Sequence, residues 1–96
     1  MNGDPLQYSP HAIDKMRSDG IFEEDVEGTV DWPIRRGWTY NHRIAHFGYT
    51  SDARLINVVT DASETYVFTV IDVDARRRER ALTRRRKKSK RYEKPY

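Results

Sequence analysis

From Tyr8 onward the apolar positions follow first a helical and then an alternating period. In "YSPHAIDKMRSDG", Ala12, Ile13 and Met16 recur at helical spacing. Ser9 in front of them can accept amide hydrogen bonds as an N-cap, and Pro10 suits the first helical position. Gly20 ends this short helix, because glycine adopts a left-handed conformation at the least cost. A second helix is expected over "EEDVEGTVDWP": its acidic first turn suits a helix N-terminus, and Pro33 closes it. Val26, Val30 and Trp32 would face the core. Residues 1–7 contain Gly3 and Pro5, show no period, and read as a flexible lead-in.

From Ile34 the pattern turns to β-rich segments separated by turn signals. Strands are expected over Ile34 to Tyr40, Arg43 to Tyr49, Arg54 to Thr60 and Thr65 to Val73. "TSDA" and "TDASE" are short enough to be hairpin loops, which makes an antiparallel meander the simplest arrangement. In the last strand Val67, Ile71 and Val73 form one alternating set and Tyr66, Phe68 and Val70 the other. With apolar residues on both sets, this strand should be central and covered on both faces. The expected class is therefore α+β: two N-terminal helices packed on a four-stranded antiparallel sheet over residues 8–73, then a basic C-terminal helix or tail over residues 74–96. That last segment has good helix propensity from Ala75 to Tyr92 but few apolar residues, so it should pack only in part and fray beyond Thr83.

Charge changes the picture. The last 23 residues carry 12 of the 18 Lys and Arg against 3 acidic residues, a net of +9, so a chain of net charge +3 has a remainder of −6. An acidic body joined to a basic arm points to a polyanionic partner, and counterion release would make such binding fall steeply with salt. The absence of cysteine excludes disulfides and thiolate metal sites, and a reducing cytoplasmic setting is expected. No apolar run is long enough to span a membrane, and the N-terminal sequence has no signal-peptide pattern.

The opening "YSPHAIDKMRSDGIFEEDV" and the later "RLINVVTD" and "TYVFTVIDV" resemble a bacterial domain family with a His-Ala motif, related to the RelE and BrnT ribonuclease toxins. His11, Ala12, Arg17, Gly20 and Ile21 carry the opening motif, and the likeness covers Tyr8 to Val73. The resemblance implies a RelE-like fold and metal-independent cleavage of messenger RNA, often on the ribosome, by basic and aromatic side chains on the sheet. No cofactor is implied, and a cognate antitoxin is the implied protein partner. Arg54, Tyr66 and Thr69 occupy places resembling the toxins' functional positions.

RNA cleavage by 2′-hydroxyl attack needs a proton acceptor, a proton donor and a cation on the phosphorane oxygens, tasks suited to His and Arg. The candidate catalytic set is His11, His46, Arg54 and Tyr66, with Arg54 stabilising the transition state and His11 or His46 moving the proton. His42 and His46, four apart, would share a strand face, but no nearby thiol or carboxylate completes a metal site. "WPIRRGWTYNHR" interleaves Trp32, Trp38 and Tyr40 with Arg35, Arg36 and Arg43, a mixture suited to stacking bases and holding phosphates. With Arg17, the three arginines Arg35, Arg36 and Arg43 and the tail residues Arg76, Arg77, Arg78, Arg80, Arg84, Arg85, Arg86, Lys87 and Lys88 are the expected nucleic-acid contacts. Three functions follow as expectations: an endoribonuclease toxin, a non-catalytic RNA- or DNA-binding module that relies on the basic tail, or an interaction protein whose acidic helices and basic tail join two protein partners.

Overall fold

The computed structural model describes the backbone of residues 5–92 and the side chains of residues 5–83. Its elements are β1 (Gln7–Tyr8), α1 (Pro10–Asp19), α2 (Glu23–Asp31), β2 (Arg35–Trp38), β3 (Ile44–Tyr49), β4 (Leu55–Thr60), β5 (Tyr66–Asp72) and α3 (Val73–Tyr92). The class is α+β, as expected, but the sheet has five strands in the order β1-β5-β4-β3-β2 and is mixed. β2 to β5 form the expected antiparallel meander. The additional strand comes from the lead-in: Gln7 and Tyr8 pair parallel with Tyr66 and Val67. The helices also depart from expectation: α3 begins at Val73, the expected end of the last strand, and its backbone is helical to Tyr92, whereas fraying is expected beyond Thr83.

Local chemistry explains α1. The Ser9 hydroxyl accepts the Ala12 N–H at 3.0 Å and donates to the Phe68 carbonyl at 2.7 Å, so one side chain caps the helix and ties it to β5. Gly20 ends α1 at φ 64°, with Ile21 N–H returning to the Met16 carbonyl. Ala12, Met16, Ile21 and Val26 from the helical segments meet Ile56, Val58, Val67 and Val70 from the sheet to form the core. α2 lies so close to β3 that a Cβ on Gly48 would come within 2.9 Å of Thr29 Oγ1.

Two expectations fail for definable reasons. Val67 and Val70 both lie on the helix-covered face, although their spacing assigns them to opposite sets. A bulge causes this: Val59 pairs with Thr69 and Thr60 with Val67, so Phe68 is an extra residue that reverses the parity of the strand. Trp32 does not enter the core; it closes α2 at φ −135° and ψ 64°, outside the helical region, and is exposed.

Tyr8 is half-buried near α2, and among the described residues its hydroxyl has no hydrogen-bond partner. Burial first, and then the charges of Glu23 and Glu27, push its pKa up to about 12.

Candidate nucleic-acid interface

A cleft of about 620 Å³ lies between α1, β5 and the first turns of α3. His11, Lys15 and Asp19, each four residues from the next and so on one face of α1, form one wall. Ala75, Arg76 and Glu79 form the opposite wall, and Phe68, Thr69 and Ile71 the floor. Each wall is fixed by a cap. Ser9 anchors α1 to β5, and Asp72, the last residue of β5, accepts the Ala75 N–H at 2.9 Å and so starts α3.

At one end of the floor Arg43 Cζ lies 3.8 Å from the centre of the Phe68 ring, and Tyr66 meets that ring edge-on with 5.1 Å between centroids. The result is an aromatic pair with a guanidinium over it, a surface on which a nucleobase can stack. The charges in the cleft are mixed. Asp19 pairs with Lys15 at 3.3 Å, and Asp72 lies 3.5 Å from Arg54, so two of the three carboxylates have cationic partners. Arg43 and Arg76 have no ion pair among the described residues.

The expected catalytic set is not assembled in one place. His11 lines the cleft, exposed to solvent, and Tyr66 abuts its floor. Arg54 does not line the cleft, and its donors are engaged: Nη1 and Nη2 donate to the Asp19 and Gly20 carbonyls at the end of α1, and Nε donates to Asp52 at 3.0 Å. There it caps the C-terminus of α1. The Thr50 hydroxyl and then Arg54 hold the Asp52 carboxyl below its ordinary value. His46 is fully buried. Its Nδ1 lies 3.0 Å from the Val58 carbonyl and its Nε2 2.9 Å from Glu64, away from the cleft residues. His42 is in the turn before β3 with φ 61°, so the two histidines do not share a strand face.

The expected nucleic-acid contacts divide in the same way. Arg43 and Arg76 line the cleft, and Arg77, Arg78 and Arg80 extend from it along the exposed part of α3. Arg17 borders a different groove, between α1 and the start of α2, while Arg35 and Arg36 lie on the far edge strand, with Arg36 2.6 Å from Glu64. The side chains of Arg84, Arg85, Arg86, Lys87 and Lys88 lie outside the described residues. Lys15 and Phe68 are cleft residues that the sequence reading did not assign. The four-residue spacing of His11, Lys15 and Asp19 was the available signal for Lys15. Phe68 gave none, because its position depends on the bulge.

Compared with family models, with curated proteins and with solved structures, the chain finds no match.

Proposed function

We propose that the chain is a single-stranded RNA-binding module that stacks a base in the cleft and holds the flanking backbone along α3. What supports the reading is one arrangement: the Arg43–Phe68 platform lies in a cleft whose far wall continues directly into the basic helix. Stacking gives contact without sequence readout, and the arginines supply phosphate contacts. Fluorescence anisotropy with a labelled single-stranded RNA tests it. Loss of one stacked base is worth about 1–3 kcal/mol, so Phe68→Leu and Arg43→Gln should each weaken binding by about 5- to 150-fold. The log–log salt slope should be about −0.7 for each phosphate neutralised, and it should shrink in Arg76→Gln. Affinity unchanged in all three variants would refute the cleft as the binding site.

A second reading, an endoribonuclease of the RelE/BrnT kind, is favoured by His11 lying in the same cleft as Lys15 and Arg76. His11 would take the 2′-hydroxyl proton as the 2′-oxygen bonds to phosphorus, Lys15 and Arg76 would hold the phosphorane oxygens, and the 5′-oxygen would leave as the P–O bond breaks, taking its proton from solvent. An antitoxin for such an enzyme would cover the cleft or the basic helix. Fragments produced by the wild type, but not by a His11→Ala variant that still binds RNA, would establish cleavage. Intact RNA with the wild type, alone and with translating ribosomes, would leave the binding module.

A further inference from the structure

β2 is the outermost strand of the sheet beside β3, and all four of its residues are exposed. Large apolar side chains cluster on and around it: Trp38 is 68% and Tyr40 98% accessible, and Trp32 and Ile34 are exposed as well. An exposed edge strand with this flanking surface is a template for pairing with another chain. Arg35 and Arg36 would oppose a second copy if the pairing set arginine against arginine. The hydrogen-bond parity of the strand determines whether it does.

In an antiparallel ladder, bonded and non-bonded residue pairs alternate. Thr39 N–H donates to the Arg43 carbonyl at 2.8 Å, and Gly37 pairs with Ala45 and Arg35 with Phe47, so the odd-numbered residues of β2 turn their backbone groups toward β3. Arg36 and Trp38 therefore turn their N–H and C=O outward. Only one symmetric antiparallel register uses both residues of both copies: Arg36 opposite Trp38 of the second copy, twice, with Gly37 on the two-fold axis.

We propose that the chain forms a symmetric dimer through β2, in which a second copy continues the sheet in this register. Each guanidinium then lies across from an indole rather than another guanidinium, an attractive cross-strand pair. Within its own chain Nε of Arg36 is 2.6 Å from Glu64, which also meets His46 on the β3 side of β2, so the cross-strand pair competes with this contact. The same register places Arg35 opposite Thr39, and leaves Ile34, whose N–H donates to the Phe47 carbonyl at 2.8 Å, turned toward its own β3. The contact is isologous, so it closes at two chains instead of propagating.

Gly37 provides the test. A Cβ there meets nothing within 4 Å in its own chain, so Gly37→Lys and Gly37→Glu leave the monomer intact, which circular dichroism checks. In the dimer they place like charges on the axis. Sedimentation velocity of the full chain should find the wild type dimeric at high micromolar concentration and dissociating on dilution, and each variant alone monomeric. An equimolar mixture of the two variants should dimerise again, because ammonium then faces carboxylate. Trp38→Thr should weaken the dimer at least about tenfold, in keeping with the loss of a desolvated cation–π pair. A monomeric wild type, a dimer that persists in Gly37→Lys, or a mixture that stays monomeric would each overturn the proposal.

Discussion

Replacing Arg54 with alanine separates a helix cap from a catalytic group. The side chain donates to the Asp19 and Gly20 carbonyls, the second at 2.8 Å, and lies 3.5 Å from Asp72, which is almost completely buried. A hydrogen bond with one ionised partner contributes about 1.5–3 kcal/mol, and solvent reaching part of the guanidinium lowers this. Two such bonds, together with a buried carboxylate left with only the Ala75 N–H, put the loss at about 2–4 kcal/mol. In a domain of this size each kcal/mol lowers the midpoint of thermal unfolding by about 4–8 °C, so it should fall by roughly 10–30 °C. Arg54→Lys should restore less than half of the loss, because an ammonium on a single stem cannot span two carbonyls and a carboxylate. Urea titrations of the three proteins, followed by RNA anisotropy at a temperature where all are folded, provide the assay. Stability within about 0.5 kcal/mol of wild type in Arg54→Ala, a change typical of an ordinary surface site, combined with lost RNA binding or cleavage would refute the capping assignment and return Arg54 to the site.

Gly48→Ala should destabilise by about 1–3 kcal/mol, since its Cβ would press on Thr29 Oγ1 at 2.9 Å; adding Thr29→Ala should recover part of the loss in a urea double-mutant cycle, and additive effects would show that α2 does not press there. Tyr8→Phe removes a buried hydroxyl that has no partner among the described residues, so stability at neutral pH should stay level or rise by about 1 kcal/mol. The folded phenol holds its proton up to about 12 against an ordinary value of 10.0, so its contribution is complete below pH 10 and is lost as pH rises toward 12. Tyr8→Phe should therefore lose less stability over that range, and absorbance at alkaline pH should lose a phenolate transition near about 12; a destabilised variant would mean that the hydroxyl is bonded.

The elements that local chemistry determines were legible in the sequence. Ser9, Pro10 and Gly20 bound α1 as their types require, and each strand of the meander lies within its expected segment, β3 and β4 shortened at one end and β2 and β5 at both. What was illegible depends on residues far apart in the chain. β1 is two residues long and exists through Tyr66 and Val67, and the Phe68 bulge appears only once β4 and β5 are paired. The site follows the same division. His11, Arg43 and Arg76 reach the cleft, whereas Arg54 meets carbonyls 34 and 35 residues away and His46 meets Glu64 18 residues on, partners that no local pattern reveals.

The parallel seam between β1 and β5 also governs the order in which this protein can fold. Ser9 reaches its acceptor on Phe68 across 59 residues, and closing so long a loop has an entropic cost that must be met before the contact returns anything. During synthesis β1 and α1 emerge before β5 and are thus among the last elements to find their places. α1 has its own cap and stop and can form early, but it has no sheet to rest on until β5 has been synthesised. The antiparallel strands, whose partners are near neighbours in sequence, can assemble while the N-terminal segment waits, and its docking then completes the core.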